Sequence, residues 1–70
     1  MIKLKRLNGK GFVVNCELIQ YLEETPDTVI TLTTGTKIVV AETVDEIIEK
    51  VIEYKASILD YSRNARRKEV

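Results

Sequence analysis

Seventy residues, 44% apolar and 31% charged, are enough for one ordered domain and too few for a second core. Eleven basic side chains balance eleven acidic ones, so no net field selects a polyanion or a membrane. No apolar run approaches the ~20 residues that cross a bilayer, and the lone Cys16 excludes an internal disulfide. With no secretory leader in MIKLKRLNGKGF, the expectation is a soluble, cytoplasmic protein that does not span a membrane.

The first predicted element is a hairpin. Ile2 and Leu4 alternate with Lys3 and Lys5, and Phe12 and Val14 follow Asn8-Gly9. A two-residue Asn-Gly loop would set Lys5 against Phe12 and scatter the apolar set over both faces. A three-residue loop, Leu7-Asn8-Gly9, aligns Ile2 with Val14 and Leu4 with Phe12. Because a one-residue slip turns every side chain over, burial selects the longer loop. The stretch TVITLTTGTKIVV obeys the same parity: a Thr33-Thr34-Gly35 loop sets Ile30 against Ile38 and puts Leu32 and Val40 on their face. Gly9 and Gly35 are then the residues that take the left-handed conformation.

Between the hairpins, NCELIQYLEETPD admits two readings. Alternation favours a strand over 19–24, whereas Leu18, Ile19 and Leu22 fit one helical turn. Pro26-Asp27 makes a tight turn. The helix is the clearest element. Thr43-Val44-Asp45-Glu46 is a capping box. Val44, Ile47, Ile48, Val51, Tyr54 and Ile58 then recur at helical spacing, with Asp45, Glu46, Glu49, Glu53 and Asp60 opposite. The domain is expected over 1–62, with the sheet in 1–41 and the helix in 43–62, and a frayed basic tail in 63–70.

Chemistry is sparse. Without His, the usual base near neutral pH is missing. Glu23 and Glu24 are adjacent and would point to opposite faces of a strand. Cys16 has no His to activate it and reads as a small core or edge residue. The scattered acids have no metal-ligand spacing, and Gly9-Lys10-Gly11 lacks the rest of a dinucleotide loop. No catalytic, cofactor-binding or metal residue is assigned, and no enzyme is expected. Nucleic-acid binding is the rival class, resting on Lys3, Lys5, Arg6 and the basic tail. The basic groups are divided, however, and the helix carries an acidic face that repels a polyanion. Nucleic acid is not the expected partner.

Geometry gives the helix a further meaning. Strands of five or six residues extend only ~17–20 Å, whereas a helix from 44 to about 63 is ~30 Å long. Its distal half overhangs the sheet while keeping Tyr54, Ile58, Leu59 and Tyr61, which are read as an association surface. A homo-oligomer is the simplest way to cover them.

The segments IKLKRLNGKGFVVNCELI and ETPDTVITLTTGTKIVVAETVDEIIEKVIEY resemble the FlbD family of small flagellar proteins, also called SwrD or swarming motility proteins. The resemblance covers about residues 1–55. It is carried by Leu7-Asn8-Gly9-Lys10, Asn15 with Leu18-Ile19, Pro26-Asp27-Thr28, Gly35, Val40 and Glu42. Gly11 departs from it, standing where that family commonly has a larger residue. The resemblance implies a cytoplasmic protein that supports motility and swarming, with no cofactor and no transferable site residues. The combined expectation is an α+β domain, a small antiparallel sheet of four to five strands in two hairpins followed by one long C-terminal helix. It would act without catalysis through an unidentified flagellar protein partner. A small nucleic-acid-binding regulatory module is the alternative.

Overall fold

The hydrophobic parity of both hairpins decides the register seen in the computed structural model, which describes the backbone of residues 1–69 and the side chains of 1–61. β1 (Ile2–Lys5) pairs antiparallel with β2 (Gly11–Val14), with Ile2 opposite Val14 and Leu4 opposite Phe12. The loop closes when the Arg6 N–H donates to the Lys10 carbonyl and the Gly9 N–H to the Arg6 carbonyl, both at 2.9 Å. Asn8 Oδ1 accepts from the Lys10 N–H at 3.0 Å. In the second hairpin β4 (Thr28–Leu32) pairs with β5 (Lys37–Val40), and Ile30 faces Ile38. Gly9 and Gly35 have φ of 86° and 91°, a region costly for any residue with a Cβ. Both three-residue loops are therefore as the apolar pattern requires.

The ambiguous segment resolves into a one-turn 3₁₀ helix, Cys16–Leu18, and then β3 (Ile19–Glu24), paired antiparallel with β4. Asn15 Oδ1 accepts the Glu17 N–H at 3.1 Å and starts the turn. The pairing shifts between Ile19 and Tyr21, so Gln20 forms a bulge. An extra residue in one strand brings Ile19 and Leu22 onto the same face, although they are three apart. That spacing is what mimics a helical turn in the sequence.

The five strands form two small sheets, β1-β2 and β3-β4-β5. A single bridge between Arg6 and Val40 joins them, beside an Ala41 N–H bond to the Lys5 carbonyl at 2.8 Å. Leu4, Ile30, Val40 and Ile47 lie at the centre of the core with Ile2, Val14 and Cys16. Phe12, Ile19, Leu22, Leu32, Ile38, Val51 and Tyr54 pack around them, half-buried. Ile48, one of the residues at helical spacing that would face the core, is instead 44% exposed. Ile47, Val51 and Tyr54 fix which side of the helix meets the core, and Ile48 lies about 100° further round than Ile47, on the flank it shares with Ile19 and Leu22 of β3.

α1 spans Val44–Glu69, 26 residues against an expected end at 62. Thr43 and Glu46 form the capping box as the sequence predicts. The Thr43 N–H donates to Glu46 Oε1, and the Glu46 N–H donates to Thr43 Oγ1, each at 3.1 Å. At 1.5 Å per residue the helix is ~39 Å long, while the longest strand, β3, has six residues and extends ~20 Å. The excess gives the molecule its long axis, 51 Å against 23 and 19 Å. The side chains of the basic segment 63–70 lie outside the described residues.

Candidate functional site

Two regions offer surface that the fold does not consume. The first is the distal part of α1 and the flank of the helix beside β3. Of the four residues expected to form an association surface, Tyr54 is half-buried against the core, and it is the last helix residue packed there. Ile58, Leu59 and Tyr61 are exposed by 47%, 58% and 77%. Three of the four thus stand free of the chain's own sheet, and Tyr54 marks where its cover ends. Sequence reasoning missed two further exposed apolar residues on the helix, Ile48 and Ile52, the latter 61% exposed. At about 100° per residue Ile48, Ile52 and Leu59 fall within some 40° of one another. A groove of about 250 Å³ runs beside them, lined by Cys16, Ile19, Leu22, Ile48, Val51 and Ile52. The sequence carries only a partial signal for Ile48 and Ile52, an apolar arc wider than one packed side of a helix.

Lys55 occupies the same stripe. Its Nζ lies 3.6 Å from Glu17 Oε1, with both side chains well exposed. A pair in that setting contributes little stability, but it draws the ammonium toward the 3₁₀ turn.

The second region is a cavity of about 370 Å³ at the β1-β2 hairpin, where Lys3, Lys5 and Lys50 meet Glu42, Phe12 and Gly11. The basic strand proves to be divided between two faces. Lys3 and Lys5 point away from the core, whereas the Arg6 guanidinium lies 4.7 Å from the centroid of the Phe12 ring. Stacking of that kind holds Arg6 against its own domain. Both Glu42 carboxylate oxygens accept from the Lys5 N–H, at 3.0 and 3.1 Å, so the acid serves the junction of the two sheets.

Glu24 behaves similarly. Its Oε1 accepts the Val44 N–H at 3.0 Å and the Thr28 hydroxyl at 3.4 Å, giving the helix a second cap from β3. The carboxyl of Glu46 is held below its ordinary 4.5 by the Thr43 backbone N–H first and then by the Thr43 side chain, with burial opposing them and Lys50 adding a lesser pull. Cys16 is buried in the core, as a small apolar residue would be. Among the described residues no three His, Cys, Asp or Glu side chains gather as metal ligands. No helix among them is long and apolar enough to cross a membrane.

These features define a small α+β domain that presents a projecting helix and keeps its placed carboxylates for structure. The chain belongs to the family described as FlbD, flagellar and swarming motility proteins, which matches residues 1–59. The match reaches four residues beyond the resemblance read from the sequence and includes Ile58 and Leu59. Comparison with curated proteins and with solved structures finds no match. The residues that carry the family resemblance are mostly the ones that shape turns and junctions here. Asn8 and Asn15 close turns, Gly35 takes positive φ, Val40 bridges the sheets and Glu42 ties them.

Proposed function

We propose that the chain supports flagellar motility as a non-enzymatic, cytoplasmic accessory acting through protein–protein contacts, and that it works as a homo-oligomer. The family supplies the biological setting. The observation that carries the molecular reading is the projecting half of α1, where Ile58, Leu59 and Tyr61 remain exposed on a domain of only 70 residues. Leaving large apolar side chains in water forgoes roughly 1.5–3 kcal/mol each, and a patch of them on a small monomer invites association. A second copy and a flagellar protein partner are the two occupants this reading supplies.

The test replaces the chain in motile cells with Ile58→Glu and follows swarming together with the sedimentation of the purified protein. Loss of both swarming and the oligomer is the expected result. A wild-type monomer at high concentration, or an Ile58→Glu protein that swarms normally, overturns the reading. The nucleic-acid alternative draws on one observation, the gathering of Lys3, Lys5 and Lys50 about a single cavity. It requires a shift of RNA or DNA that weakens steeply with salt.

A further inference from the structure

We infer that two copies pair through α1 in antiparallel orientation, each distal half lying over the groove between α1 and β3 of the other. This rests on the self-association proposed above and specifies its geometry. The exposed surface has two unlike parts on one helix. The groove is set by residues near Ile48 and Ile52, while the projecting residues Ile58, Leu59 and Tyr61 follow six to thirteen positions later. A parallel pair would set groove beside groove and projection beside projection, leaving each groove unfilled. An antiparallel pair brings the projection of each copy to the groove of the other, in one contact that a two-fold axis repeats.

The helical positions agree with that arrangement. Ile48, Ile52, Lys55 and Leu59 are spaced four, three and four residues apart, the repeat of a two-helix seam. Reversing one helix sets Leu59 against Ile48 and the stem of Lys55 against Ile52. The Lys55 ammonium, drawn toward Glu17, need not enter the seam. The two-fold axis stands perpendicular to the plane of the two helices, so both sheets lie on the same side of that plane. Ile58 and Tyr61 point about the way Ile47, Val51 and Tyr54 do, toward that side. There they meet the partner's β3 flank, where Ile19 and Leu22 line the groove.

Charge selects a second copy as the occupant. The first turn of α1 holds Asp45 and Glu46, shortly after Glu42. The sequence over 63–68 holds Arg63, Arg66, Arg67 and Lys68. Antiparallel pairing brings that basic stretch to the acidic beginning of the partner helix, and parallel pairing would bring like charge to like.

Cysteine cross-linking decides the orientation. Ile48→Cys and Leu59→Cys proteins are mixed, allowed to exchange, oxidised mildly, and the disulfides located by mass spectrometry. Both positions are exposed in the chain, and circular dichroism checks that helix content is kept. A disulfide needs Cα atoms within roughly 7 Å. The inferred register brings position 48 to position 59 and keeps the two copies of position 59 ~16 Å apart along the axis. The expected product is therefore the mixed 48–59 disulfide. A 59–59 disulfide as the main product, or no disulfide from a protein that sediments as a dimer, overturns this geometry while leaving self-association intact. A sedimenting monomer overturns both. A nitroxide at Leu59→Cys alone gives a second readout. Separation beyond about 15 Å supports antiparallel helices, and separation near 10 Å, the spacing of packed neighbours, rejects them.

Discussion

The two halves of α1 carry comparable apolar side chains in opposite surroundings. From Val44 to Tyr54 one side of the helix rests on the core, with Ile47 wholly buried and, of the apolar residues, only Ile48 and Ile52, on the flank, left exposed. From Lys55 onward its described apolar side chains face water, among them Ile58, Leu59 and Tyr61. The same heptad-like spacing therefore serves the chain's own core in one half and leaves a surface in the other. Periodicity marks which residues are apolar on one side of a helix, and only the width and length of the sheet tell which of them the chain can cover itself. Substitutions in the two halves should separate accordingly.

The largest effect belongs to the buried half. Ile47→Ala removes a side chain with 0% exposure beside Leu4, Ile30 and Val40, and should cost about 2–5 kcal/mol. A domain this small commonly has little more than that in total, so urea titration should show a severely weakened or lost transition. A midpoint close to that of the wild type would place Ile47 outside the core.

The junctions come next. Glu42→Ala leaves the Lys5 N–H without either carboxylate oxygen and loosens the meeting of the two sheets. A loss of about 1–2 kcal/mol is expected, since an acceptor that carries charge is worth more than a neutral one. Amide exchange at Lys5 should accelerate in the same variant. Unchanged exchange there would show that the bond does not protect the junction.

The cap has a comparable or smaller effect with its own pH signature. Thr43→Ala should cost about 0.5–2 kcal/mol, because its hydroxyl satisfies the Glu46 N–H. Glu46 has a lowered folded pKa, so the unfolded chain binds its proton more readily than the folded one. Its contribution is therefore complete above the ordinary value of 4.5 and is lost as pH falls through the lower folded value. Stability followed from neutral pH downward should fall less steeply in Thr43→Ala than in the wild type. An identical acid limb would mean that the Thr43 hydroxyl adds nothing to the hold on the Glu46 carboxylate, which the backbone N–H, kept in Thr43→Ala, would then supply alone.

Much of this architecture was legible because it depends on parity and local chemistry. Both hairpin registers follow from the apolar alternation with Gly9 and Gly35, and the capping box follows from the Thr43-to-Glu46 spacing. The Gln20 bulge was hidden because it changes the period within a strand, so Ile19 and Leu22 read equally well as a helical turn. Glu24 was hidden differently: its partner Val44 is twenty residues away, and no local spacing announces such a bond. For the surface, the projection containing Ile58, Leu59 and Tyr61 followed from length alone. Ile48 and Ile52 did not, since their exposure depends on which side of the helix the core takes.

The smallest effect on folding should come from the distal half, and it sharpens the comparison most. Ile58 lies beyond the last residue packed on the core, so Ile58→Glu should change the stability of the isolated domain by no more than about 0.5 kcal/mol. The measurement must be made at a dilution where the wild type is monomeric, because association adds stability by mass action. At higher concentration the wild type should gain stability with protein concentration and Ile58→Glu should not. A substitution silent in the monomer and decisive in the concentration dependence assigns Ile58 to a contact between chains. A loss of several kcal/mol at high dilution would instead show that the distal helix folds back onto its own sheet, and the two halves of α1 would then share one core.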